Sequence, residues 1–372
     1  MFKKKSKLKS AQEEAQAAID QTNKMIEKLG KHTGALCSAL NDIQVLFDKI
    51  RNIPTERKIE CDDLKSIRLN WKQQAEKIEH DYATAAVKNA GAGAAGVGAG
   101  VAVVALGPTA AMGVATTFGV ASTGTAISAL SGAAANSAAL AWLGGGALVT
   151  GGGGMAAGHA FLALAGPVGW AIAGASLIAS GIFLVKSFKD KKEVEEIFTC
   201  ISKRDVESYK LAIVELNERM SRIGCESELL AHAIEKIKTF GCDYNAMTEA
   251  QQYELGSYVN LMSASTQLLI NPIIGLLPKL NTENLNKFLA NRNPITDGTT
   301  QEQLKPLILM LANLLYKIEL NNKSKKLLYD NFRNNKKMIK ETGINKKLFT
   351  IKVMDLVEDF LSYSYLTSKQ PV

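Results

Sequence analysis

Between Lys88 and Lys186 the chain carries no Asp, Glu, Lys or Arg, a run of 97 residues from Asn89 to Val185. A water-soluble domain seldom goes so far without a charge, because each helix or strand keeps a face in water. Uncharged apolar runs of about 18 residues or more read as membrane-span candidates, and this one is several times longer. Other scarcities narrow the classes further. The five cysteines (Cys37, Cys61, Cys200, Cys225, Cys242) are scattered, odd in number and free of CxxC spacing. That speaks against a disulfide framework and for reduced thiols in a protein folded in the cytosol. The four histidines (His32, His80, His159, His232) are too far apart for paired metal ligands, so no metal is expected. Behind a basic start, Ala11 to Asp20 offers no apolar core, and no cleaved secretory signal is expected.

What is present is mostly helical pattern. Ile19, Thr22, Ile26, Leu29, Thr33, Leu36, Leu40, Ile43, Phe47 and Ile50 alternate three and four apart, the seam of a long packed helix. Gly30 and Gly34 weaken its middle by about 1 kcal/mol each relative to Ala, and Pro54 ends it. Leu64, Ile67, Trp71, Gln74, Ile78 and Asp81 repeat the spacing, completing a helical hairpin whose second arm runs into the uncharged stretch. After that stretch, Val206, Tyr209, Ile213, Leu216, Met220, Ile223, Ser227, Leu230, Ile234 and Ile237 form a second long seam, with Gly241 as its stop. A further helix is expected from about Met247 to Ile270, broken at Asn271-Pro272, followed by shorter ones near 282–291, 301–321, 323–341 and 347–365. No period-2 pattern persists anywhere. The expected fold is all-α: a bundle or coiled-coil stalk, a central glycine-rich hydrophobic head and a C-terminal helical domain. Its parts are residues 1–88, 89–185, 186–241 and 242–372.

The head holds 22 of the 30 glycines. Pro167 to Val185 would span roughly 28 Å as a helix, close to a hydrocarbon core of about 30 Å. Lys88 before the head and Lys186, Lys189, Lys191 and Lys192 after it keep both ends on the cytoplasmic side, which implies two or four spans. With Lys3, Lys4 and Lys5, these are the expected anchors to anionic lipid. Gly96 and Gly100, Gly154 and Gly158, the row Gly124, Ser128 and Gly132, and the pair Gly174 and Gly181 are spaced for close helix packing in lipid. Thr109, Thr116 and Thr123 share one helix side. They either line a water-filled path in an assembly or bond back to their own helix carbonyls.

Catalytic patterns fail on inspection. Gly91, Gly93 and Gly96 spell a dinucleotide fingerprint, but a polar helix precedes them and no acid follows until Asp190. Ser122 misses the nucleophile-elbow spacing by one residue. No enzyme and no cofactor are expected. The net charge of +8 is concentrated from Lys323 to Lys352, where ten Lys or Arg stand against Asp330 and Glu341. Such a block suits an anionic surface or a solvated helix face, and nucleic acid is not the expected partner.

This layout, long helices interrupted by a glycine-rich apolar head, resembles the α-helical pore-forming class over residues 1–240. Colicin-type toxins and apolipoprotein-L-like proteins are similar in kind. The run Leu164-Ala-Gly-Pro-Val-Gly-Trp-Ala-Ile-Ala-Gly174 also looks like segments of bacterial defence or mobile-element proteins. The resemblance implies a soluble form that hides the head, triggered insertion and homo-oligomerisation. The head is larger than a two-helix hairpin, which leaves the span count open. The expected function is a cytoplasmically made protein that inserts in the bacterial inner membrane and permeabilises it, as a toxin or abortive-infection effector. The alternative is a non-lytic anchored scaffold, such as the partner of a membrane-remodelling GTPase, whose helical seams recruit a cytosolic protein.

Overall fold

The computed structural model describes residues 7–90, 108–118, 191–276, 279–280, 282–292, 298–334 and 346–367. Among these residues the regular elements are helical and no strand occurs; Arg51 and Asp243 form an isolated bridge. The chain is all-α. In chain order the helices are α1 (Lys7–Lys49), α2 (Thr55–Ala90), α3 (Pro108–Phe118), α4 (Lys191–Ile237), α5 (Glu249–Ile270), α6 (Thr282–Ala290), α7 (Gly298–Leu315), α8 (Asn322–Asn334) and α9 (Ile351–Thr367).

The organising element is α1, whose 43 residues reach roughly 65 Å at 1.5 Å per residue. Its three-four spacing puts one stripe of side chains on one face. Thr22, Ile26, Leu29, Thr33, Leu36, Leu40 and Ile43 all have 0 % exposure. The two threonines return their hydroxyls to the helix, Thr22 to the Ala18 carbonyl at 2.8 Å and Thr33 to that of Gly30 at 3.1 Å. No polar group on the stripe is thereby left bare.

Most of that stripe is covered by α4, which buries Val206, Tyr209, Leu216, Ile223, Leu230 and Ile237. Glu14 lies within electrostatic range of Lys210, and Arg51 N–H donates to the Cys242 carbonyl at 2.9 Å, so the two helices run parallel. Gly241 ends this helix region at φ +84°, a left-handed conformation that glycine adopts without a Cβ penalty. Asn52, in the turn after α1, also has positive φ and donates to Asp243 at 2.9 Å.

Near their connecting turn α1 and α2 are joined by polar contacts, Lys65 to Asp48 at 2.9 Å and Arg68 to Gln44 at 2.7 Å. Direct packing between the two is otherwise slight, because α3 and α5 lie against both. A capping box opens α5: Thr248 accepts from Gln251 N–H while the Gln251 side chain accepts from Thr248 N–H.

The C-terminal helices close a second region of the same buried core. Phe288 of α6 packs on Phe360 and Tyr363 of α9, with ring centroids 5.2 and 5.5 Å apart. The buried Asn313 amide of α7 donates to the Leu280 carbonyl at 2.9 Å and accepts from Leu280 N–H at 3.1 Å. Lys325, in the basic block, pairs with Asp355 at 2.7 Å and Glu358 at 2.9 Å on α9.

Among the described residues one stretch, Glu249–Leu276, is long and apolar enough to cross a membrane. Half of its apolar window is buried by neighbouring helices, as in an interior helix. The seam also makes a stability test. Leu216→Ala should cost about 2–5 kcal/mol in denaturant melts. Val214→Ala, two residues away at 65 % exposure, should change stability by less than about 0.5 kcal/mol.

Candidate functional site

The feature with most bearing on function is the seat of α3, which lies within the uncharged run. Pro108 starts this helix: proline at the first helical position has its φ preset and lacks a donor the helix would leave unpaired. Ala111, Val114, Ala115, Thr116 and Thr117 are buried against α1, α2 and α5. The approach to α1 is backbone to backbone. A Cβ on Gly30 would overlap the Thr109 carbonyl oxygen and come within 2.9 Å of Gly113 N. A Cβ on Gly113 would in turn overlap the Ile26 carbonyl oxygen. One turn along, a Cβ on Gly34 would stand 3.3 Å from Met112 Sδ. Small residues four apart let the helix axes come this close. At the far end Ile273 N–H, just past α5, donates to the Thr117 carbonyl at 2.7 Å.

Buried polar groups on α3 and further along α1 and α2 are only partly satisfied. Thr117 returns its hydroxyl to the Gly113 carbonyl at 2.7 Å, whereas the Thr116 hydroxyl is buried without a hydrogen-bond partner. Arg68 of α2 is 2 % exposed. It donates to Gln44 at 2.7 Å and to the Thr266 hydroxyl at 3.4 Å, and its Nε has no acceptor. Burial lowers its pKa, against the opposing pull of Cys37, Cys61 and Asp48. Asp48 nearby is bonded by Gln44 and Lys65; these bonds outweigh its own desolvation and hold its carboxyl below the usual range. Cys37 and Cys61 lie in the same region. Burial raises both thiols, Cys61 to about 11, with Glu60 and Asp62 adding to the effect. Thiols of that kind are unreactive.

A second polar centre links α4 to α7. Arg204 holds Asp205 Oδ1 through Nε at 2.9 Å and Nη2 at 2.6 Å, and its Nη1 caps the carbonyls of Leu314 and Tyr316 at 2.9 and 2.5 Å. Asp205 is buried, and desolvation raises its pKa to about 6 against the opposing pull of Arg204. Further along α4, Arg219 caps the end of α5 in the same way, donating to Leu268 and Asn271 carbonyls at 2.8 and 2.7 Å. Cations at helix C-termini meet unpaired carbonyls and the negative end of the helix dipole.

The residues singled out from sequence are distributed unevenly. Thr109 and Thr116 sit on α3, half-buried and buried respectively. Lys192 is exposed at the start of α4; Lys88 and Lys191 lie within α2 and α4. Thr123, Lys3, Lys4, Lys5, Lys186, Lys189 and the packing residues Gly96, Gly100, Gly124, Ser128, Gly132, Gly154, Gly158, Gly174 and Gly181 lie outside the described residues. No group of His, Cys, Asp and Glu suited to a metal occurs among the described residues. Sequence reasoning missed two things. Gly30 and Gly34 were weighed as a cost to α1, although their spacing is that of a docking face. Arg68 was passed over because arginine ordinarily reads as surface.

No family model, curated protein or solved structure matches the chain.

The raised pKa of Asp205 sets a pH dependence. The folded state holds this proton up to about pH 6, the unfolded chain only to about 4. Its contribution to stability is therefore fully present below about pH 4 and lost as pH rises through about 6. Melting temperatures of wild type and Asp205→Asn, compared from pH 7.5 to 4.5, should show wild type gaining on the variant as pH falls. A difference that is flat with pH would contradict the assignment.

Proposed function

We propose that this chain is a membrane-inserting helical protein that oligomerises and permeabilises the bacterial inner membrane, acting as a toxin or abortive-infection effector. The observation that carries this reading is the uncharged run of 97 residues. No charge in it opposes passage through a bilayer, and its glycine spacings suit helix contacts in lipid. The burial of α3 supports the same reading, because it gives part of that run a dry place in water. In this reading the seamed helices α1, α2 and α4 form a bundle stalk and the glycine-rich run is the head. Lys88, Lys186, Lys189, Lys191 and Lys192 anchor the head at anionic headgroups.

The second reading, a non-lytic anchored scaffold, is favoured by one surface. Leu211 and Val214 on α4 are 66 and 65 % exposed, and Ile274 beside the same stretch of α4 is 73 % exposed. Uncovered apolar side chains gathered on a helix face are a place for a protein partner.

Dye release separates the two. Vesicles containing phosphatidylglycerol and loaded with a self-quenched dye should leak in proportion to added protein. The bound protein should resist both high salt and alkaline carbonate. Resistant binding without leakage at any concentration would reject the pore and leave the scaffold.

A further inference from the structure

We infer that α3 is a latch: its crossing with α1 at Gly30 and Gly113 decides whether this helix stays on the water-soluble helices or passes to lipid. This rests on the membrane reading above and adds to it the contact that regulates insertion.

Three features of the seat make it releasable. First, α3 has 11 residues, too few for a stable helix in water by itself, so it is ordered by its neighbours. Second, the side chains it buries are small, Ala111, Val114, Ala115, Thr116 and Thr117. The hold comes from close backbone approach more than from large apolar area, and such a contact fails abruptly when the spacing changes. Third, the seat carries a built-in penalty: the Thr116 hydroxyl is buried without a partner, although burial of such a group is unfavourable unless it is bonded. A lipid-exposed α3 would free that hydroxyl to bond a carbonyl of its own helix, as Thr117 already does. The helix itself bears no charge that lipid would refuse.

Two opposite variants test the latch. Gly113→Val places a side chain where the Ile26 carbonyl lies and should unseat α3. Gly224→Ala, where a Cβ meets nothing within 4 Å, is its control. Gly34→Cys with Met112→Cys, made in a chain with Cys37 and Cys61 changed to Ala and Cys200, Cys225 and Cys242 changed to Ser, is the lock of α3 to α1 once non-reducing mass spectrometry shows the 34–112 bond formed. Circular dichroism checks that each variant keeps its helices, and the double-cysteine form serves even if Gly113→Val does not fold. The readout is co-flotation with phosphatidylglycerol vesicles, together with dye release.

The expected result has three parts: several-fold more flotation for Gly113→Val than for Gly224→Ala, loss of flotation and leakage in the oxidised lock, and their return on adding dithiothreitol. An oxidised lock that floats and leaks as well as its reduced form overturns the latch and leaves the membrane reading standing. If wild type, Gly113→Val and reduced lock all fail to float, the membrane reading itself falls and the latch goes with it.

Discussion

The structure depends on one constraint: α1 has to keep a continuous stripe dry over its whole length while its neighbours change along the way. Between Thr22 and Ile43 the stripe has no exposed member, and its covering comes from α4, α3 and α5 together. At about 1.5–3 kcal/mol for each large apolar side chain fully buried, this seam is a large favourable contribution. The glycines in the middle of α1 are where that continuity meets a different demand. There the neighbour is a helix poor in large side chains, and only a missing Cβ brings it near enough to keep water out.

Around this apolar axis the polar groups act as fasteners between helices. From α4, Arg204 and Arg219 each reach the end of another helix, and Glu215 accepts from Gly275 N–H at 2.9 Å. At its start Glu193 accepts from Ser324 at 2.7 Å and pairs with Lys323 at 2.7 Å. Exposed pairs of this kind contribute little stability singly, but the caps to helix-end carbonyls satisfy groups that would otherwise be unpaired. The basic C-terminal block is affected too. Lys323 and Lys325 face acids far away in sequence, so the block offers an anionic surface less charge than its composition implies.

How much of this was legible in the sequence follows from what periodicity records. The seams of α1 and α4 were readable residue by residue, because each pairs one apolar face with one polar face, and all their members with described side chains are buried or half-buried. The breaks at Gly241 and Asn271-Pro272 were equally plain, since they rest on backbone chemistry. What periodicity could not register was the docking of α3: a helix without charges has no polar face to mark which side is turned inward. The Gly30 and Gly34 spacing was visible but ambiguous, being both a helix-weakening pair and a contact face. Arg68 was not readable at all, because its partners Gln44 and Thr266 come from other helices. Asp205 likewise reads as surface until α7 is laid over it.

The parallel pairing of α1 with α4 has a consequence for synthesis. Asn52 and Asp243 touch across 191 residues of chain, so this is a fold of high contact order built from local elements. At about 5–20 residues per second, the first long helix emerges and then waits roughly 10–40 s for its main partner. Throughout that interval its apolar stripe lacks its main cover while the uncharged stretch is also leaving the ribosome. The pace of translation thus sets how long that stripe stands uncovered before the tertiary structure can form.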